Sequence, residues 1–184
     1  MPAPDVGVII VAAGSSTRLG GTELKQFRWL AGKPMLLHSV ETFLKRPDVA
    51  LVVCVLPKSH AGDPPPWLFQ ADPDRLLLTV GGRERGDSVL SGLEDLPDEV
   101  TIVLVHDAAR PLATDDTIDR VIDEARRGRG AVAALPVVDT LKEVDADGTI
   151  LRTIDRRGLW RAQTPQGFPR EMIERRSYSS TALP

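Results

Sequence analysis

The stretch VGVIIVAAGSSTRLGGTELKQF, Val6 to Phe27, ends an apolar run in small and hydroxyl residues and then adds two cations, Arg18 and Lys25. Main-chain N–H groups at small residues such as Ala12, Ala13 and Gly14 can close around phosphate oxygens, because no bulky side chain obstructs them. Arg18 and Lys25 would neutralise that charge from the same connection, and the spacing suits a triphosphate. Neither G-x-G-x-x-G nor G-x-x-x-x-G-K-[ST] occurs here, so dinucleotide and Walker readings are both poor. An ordinary loop with solvated charges is the bland alternative.

Two later stretches also carry chemistry. In GGRERGDSV, Gly81 and Gly82 permit close backbone approach to a base or ribose, and Ser88 puts a hydroxyl near a helix start. A glycine turn followed by an N-cap, Asp87 or Ser88, accounts for the same residues and is compatible with the first reading. In VHDAARP, the carboxylate of Asp107 can ligate Mg²⁺ or hold a hydroxyl, since hard cations prefer oxygen. An Asp107–Arg110 pair that merely closes a loop is the competitor. His106 reads as a structural histidine at a strand end, and His38 and His60 have no metal-ligand partner at useful spacing.

The elements that must position these residues alternate in character. Apolar runs of strand length, GVIIVAA, ALVVCVLP, RLLLTV, VTIVLVHDAARP and GAVAALPV, read as buried strands. Between them PMLLHSVETFLKR, DSVLSGLEDL and DDTIDRVIDEARRG read as helices, the last with acids first, arginines last and Gly128 as a stop. That alternation predicts an α/β fold with a mostly parallel sheet. Ligands of such sheets sit beyond the carboxyl ends of the strands, where the three stretches fall. DTLKEVDADGTILRTIDR breaks the pattern: two period-two segments flank DADG, a hairpin turn. PREMIERR predicts a last short helix, SYSSTALP a frayed tail, and GDPPPW a loop.

Bulk properties narrow the class. A chain of 184 residues has room for a proper core, and a net charge of −3 offers no broad basic field for nucleic acid. Cys54, the single cysteine, fits a reducing compartment; no basic leader or run of membrane-spanning length is present. The expectation is a soluble, cytoplasmic protein.

The stretch AAGSSTRLG…KQF resembles the signature loop of nucleotidyltransferases that use sugar or polyol phosphates. GGRERGDSV, VHDAARP, PVVDT and DRRGLWRAQTPQGF follow in the order seen in the 2-C-methyl-D-erythritol 4-phosphate cytidylyltransferases of the non-mevalonate isoprenoid pathway. The resemblance runs from about Val6 to Ile173. It implies one three-layer Rossmann-like nucleotidyltransferase domain over 1–184, with a β-hairpin arm at about 138–156.

By resemblance, the reaction joins the CMP part of CTP to the polyol phosphate and releases pyrophosphate, with Mg²⁺ or another divalent cation and in a homodimer. Arg18 and Lys25 then stabilise the transition state, Arg156 positions the substrate, and Ala12, Ala13, Gly14, Gly81, Gly82 and Ser88 line the nucleotide site. Asp107 meets metal and substrates, Arg110 the polyol phosphate, and Thr140 and Thr164 the polyol. Family arms are exchanged between subunits, so Arg156 is expected to serve the partner's substrate. Leu24 replaces the family's usual Pro before the lysine, and relatives continue for several tens of residues, including an N-x-K motif, beyond RRSYSSTALP. A ribitol 5-phosphate cytidylyltransferase and an inert nucleotide-binding copy are the alternative readings.

Overall fold

A computed structural model describes residues 3–14 and 24–178. Strand β1, Val6–Val11, is a continuous apolar run buried on both faces. It pairs in parallel with β4, Val49–Leu56, on one side and with β6, Ile102–Asp107, on the other. β5, Leu76–Val80, extends the sheet beyond β4, again in parallel. Val11 lies level with Asp107 across the β1–β6 pair, so both strands deliver their ends to the same edge.

The far side of the sheet departs from the expected pattern. β10, Trp160–Pro169, was not anticipated; it runs antiparallel between β6 and β7, Ala131–Pro136. The complete order is β5-β4-β1-β6-β10-β7. Proline argues against a central strand because it donates nothing to the ladder. Here Pro165 falls where the register to β7 breaks, between Ala162 and Gln166, so the ladder loses little by its presence. β7, expected to be buried, lies at the sheet edge, with Val132 44% and Leu135 51% exposed. An apolar run alone does not separate a central strand from an edge one.

Helices cover both faces. α1, Met35–Leu44, buries Leu36, Leu37, Val40 and Phe43, and α4, Asp115–Arg126, buries Ile118, Val121, Ile122 and Ala125. The hydroxyl of Thr114 caps α4, accepting from the N–H of Thr117 at 3.4 Å. α3, Arg85–Glu94, packs Val89 and Leu93 on the opposite face of the sheet, with Gly92 directly over Ile9. It begins earlier than expected. Glu84 is the N-cap and Asp87 its reciprocal partner in a capping box, which places Ser88 inside the helix.

Short elements complete the chain. A two-strand ribbon, β2 (Trp29–Leu30) and β3 (Lys33–Pro34), leads into α1. A helical turn, α2 (Lys58–Ala61), precedes a 3₁₀ turn at Pro66–Gln70 that replaces part of the loop expected at GDPPPW. The hairpin is present as β8, Leu141–Val144, paired antiparallel with β9, Ile150–Ile154. Its turn is held by Asp145, whose carboxylate accepts from the N–H groups of Asp147 and Thr149 at 3.0 and 2.8 Å. Gly148 takes the positive φ of 84° that the turn requires. α5, Arg170–Tyr178, runs two residues past the helix expected at PREMIERR; the rest of the tail lies outside the described residues.

Candidate active site

The ends of β1 and β6, the start of α3 and the 3₁₀ turn Lys25–Phe27 surround a cleft of about 780 Å³. It is lined by Ala12, Ala13, Gly14, Gly82, Ser88, Asp107 and Arg110, together with the exposed Lys25. Thus most of the residues expected to meet nucleotide or phosphate converge on one concavity. Arg18 lies outside the described residues.

Buried polar side chains hold the walls in place. The amide of Gln26, 3% exposed, donates to the carbonyls of Ala12 at 2.6 Å and Gly14 at 3.3 Å. A trans peptide then turns the N–H of Ala13 to the opposite side of the loop. Phe27 anchors the same turn, its ring edge-on to His60 and Trp67 at 4.9 and 5.8 Å. Gly81 has a packing reason beyond ligand access: a Cβ there would overlap the Ala13 methyl and lie 2.8 Å from Ser88 Oγ. A Cβ at Gly82 would lie 3.0 Å from Asp87 Cγ, so both glycines let strand, loop and helix close together.

At the tip of β6, Asp107 Oδ2 accepts from Arg110 Nε at 3.1 Å and Oδ1 from Arg85 Nη2 at 3.4 Å. The loop-closing Asp–Arg pair therefore exists, and both of its members line the cleft. Arg110 further donates to Gln163. Ser39 on α1 donates to the carbonyl of Ala108 at 3.0 Å and fixes the same loop from below.

His106 is fully buried, edge-on to Phe43 at 5.0 Å. Burial pushes its imidazole down from 6.5 to about 4, against a smaller upward pull from the Arg110 carbonyl. Thr164, 9% exposed, sits beside it: its Oγ1 is 3.2 Å from His106 Nδ1 and 3.2 Å from the N–H of Asp107. Gly81, Thr140, Arg156 and Thr164 are not among the residues lining the cleft; Thr164 lines an adjoining cavity that shares Arg110. Thr140 and Arg156 flank the arm, both exposed, with Arg156 donating to the carbonyl of Val138.

The sequence matches the family model described as IspD, 2-C-methyl-D-erythritol 4-phosphate cytidylyltransferase, over residues 6–183. The chain belongs to that family. The chain is 38% identical over 179 residues to the cytidylyltransferase of Syntrophus aciditrophicus, covering 93% of itself and 74% of that protein. With the bifunctional IspD/IspF enzyme of Rhodospirillum rubrum it shares 47% identity over 171 residues, spanning 91% of this chain and 44% of that one. The crystal structure of the Thermus thermophilus cytidylyltransferase superposes with a TM-score of 0.75 at 29% identity, over 98% of this chain and 80% of that one. That superposition takes in nearly the whole of the α/β fold described above.

Among the residues that line the cleft, Gln26 and Arg85 are two that were missed. Gln26 stands within the quoted KQF and Arg85 within GGRERGDSV, yet their partners lie 14 and 22 residues away in sequence. Only the folded chain brings them to Ala12 and Asp107.

Proposed function

We propose that this chain transfers CMP from CTP to 2-C-methyl-D-erythritol 4-phosphate, giving 4-diphosphocytidyl-2-C-methyl-D-erythritol and pyrophosphate, a step of non-mevalonate isoprenoid biosynthesis. The observation that carries the reading is the single cleft lined by the Ala12–Gly14 segment, Lys25, Asp107 and Arg110. A phosphate monoester oxygen of the polyol attacks the α-phosphorus of CTP. A new phosphorus–oxygen bond forms as the bond to the β-phosphate bridging oxygen breaks, and pyrophosphate carries the electron pair away.

Bringing two anions together makes charge neutralisation and alignment the main tasks of the protein. Lys25, and Arg18 by its place in the same motif, would offset charge developing on the phosphoryl oxygens. The Ala12–Gly14 main chain would cradle the phosphates, while Gly81, Gly82 and Ser88 would shape the seat for cytosine and ribose. Arg110 would hold the polyol phosphate through its planar fork, and Thr164 the polyol.

A divalent cation would have one carboxylate to meet in the cleft, that of Asp107, whose oxygens also accept from Arg85 and Arg110. Mg²⁺ at nucleotide sites takes one or two carboxylates and fills its sphere with phosphate oxygens and water. Asp107 supplies such a carboxylate, and no cluster of three or more His, Cys, Asp or Glu among the described residues could hold a metal alone. When bound there, the cation would neutralise the triphosphate.

The arm supports a homodimer. Val138, Val144, Ile150 and Leu151 are each at least half exposed, an apolar surface suited to a second copy, whose substrate Arg156 and Thr140 would then reach. A reducing cytoplasm suits Cys54, whose buried thiol is pushed up to about 12. No helix among the described residues is long and apolar enough to cross a membrane.

Pyrophosphate release measured with CTP, Mg²⁺ and each candidate acceptor tests the reading. Release with 2-C-methyl-D-erythritol 4-phosphate is expected. Release with ribitol 5-phosphate alone, or CTP binding without release from either, overturns it.

A further inference from the structure

We propose that His106 is a positioning residue, whose imidazole fixes both the direction of the Thr164 hydroxyl and the backbone that presents Arg110. The inference rests on the function proposed above, but its geometry is visible in the chain alone. With the buried ring neutral, the donors and acceptors around His106 admit one consistent pattern. A backbone carbonyl only accepts, so the His106 Nε2, 3.0 Å from the Arg110 carbonyl, carries the proton. The neutral ring then leaves Nδ1 bare, as an acceptor.

Thr164 completes the chain from the other side. A backbone N–H only donates, so Thr164 Oγ1 accepts from Asp107 at 3.2 Å. Its own proton goes to His106 Nδ1, also at 3.2 Å. The run Asp107 N–H to Thr164 O–H to His106 to Arg110 C=O therefore points one way throughout. Thr164 keeps a single lone pair and no free proton, so toward a substrate it accepts only. It can read a polyol hydroxyl and has nothing to donate to a phosphate oxygen. Arg110, two bonds of the network away, keeps the anion. Discrimination between hydroxyl and phosphate thus starts at a side chain that touches neither.

Two substitutions separate the two ends of the imidazole. His106→Gln retains a donor near the Nε2 position and loses the acceptor for Thr164, whereas His106→Asn retains an acceptor near Nδ1. For H106Q the KM for the polyol phosphate is expected to rise about tenfold, the worth of one hydrogen bond, with the KM for CTP within about twofold. H106N keeps the Thr164 contact and leaves the Arg110 carbonyl without its donor, so it should show a separate loss toward the polyol phosphate that adds to that of T164V. T164V should match H106Q, and the H106Q/T164V double variant should be no worse than T164V alone, because both break the same bond. Additive losses for H106Q and T164V, an unaffected H106N, or equal losses toward both substrates overturn the proposal. The tautomer provides a check that needs no turnover: ¹⁵N spectra of the free protein should show a protonated Nε2 and a bare Nδ1 at His106. A protonated Nδ1 overturns the proposal whether or not the chain transfers CMP.

Discussion

The two ends of the molecule are built by opposite means. Around the cleft, each buried polar side chain among the described residues other than Ser88 bonds a loop of the site: Gln26 to Ala12 and Gly14, Ser39 to Ala108, His106 and Thr164 to the Asp107–Arg110 turn. Ser88, the fifth, bonds back to the Glu84 carbonyl at the mouth of α3. The arm has nothing comparable. β8 and β9 pair only with each other, and Arg156 at its base reaches no further than the Val138 carbonyl. A lone two-stranded hairpin is marginal in water. The cleft is held together by its own chain; the arm is held by the pairing of β8 with β9 alone.

The largest expected effect follows from removing charge on the rigid side. Lys25→Ala should leave the fold intact, since Lys25 is exposed, and lower kcat by about 10²–10³, the usual loss for one group aimed at transition-state charge. Single-turnover rates at saturating CTP would measure it. A loss confined to the KM for CTP would break the comparison, because the cation would then be binding rather than stabilising.

Acid should expose the next weakness on the same side. His106 stays neutral in the fold down to about 4, whereas an ordinary histidine takes up its proton near 6.5. The unfolded chain therefore binds a proton that the folded chain refuses. The contribution of His106 is fully present above pH 6.5, declines as pH falls toward about 4, and is flat below that. The whole decline amounts to about 3 kcal/mol. Urea unfolding across that range should show the slope, and His106→Asn should remove it. Gly81→Ala, which drives a methyl onto Ala13 and Ser88, should be smaller, about 1–3 kcal/mol, with weaker CTP binding in proportion.

The same contrast governs what was legible beforehand. Central strands and capped helices announce themselves: Val6–Val11, Ile102–Asp107 and Asp115–Arg126 lie within a few residues of their expected limits. Motif residues at strand ends or in the connections that follow them, Ala12, Lys25, Ser88, Asp107 and Arg110, could be placed at one cleft because the edge of a parallel sheet is where such connections gather. β10 was not, because Arg161, Gln163 and Pro165 read as loop until β6 and β7 pair with it on either side. Gln26 and Arg85 were hidden for a related reason: their meaning is a contact across the fold, not a type at a spacing. The outward face of β7 depends on what lies beyond the edge, which no local pattern encodes.

The smallest stability effect gives the sharpest test of the arm. Ile150 and Leu151 are each 60% exposed, so replacing both with Thr should change unfolding free energy by no more than about 0.5 kcal/mol in the isolated chain. If a second copy covers them, the same pair of changes should weaken self-association in sedimentation equilibrium and lower turnover, because Arg156 and Thr140 would lose their seat while CTP binding stays as it was. Mixing Lys25→Ala chains with Arg156→Ala chains extends the test. Each variant keeps what the other lacks, so a mixed dimer would rebuild one intact site only where the arm serves its neighbour. Recovered turnover on mixing makes the arm a part of the partner's site; no recovery, with both variants still dimeric, returns Arg156 to its own chain.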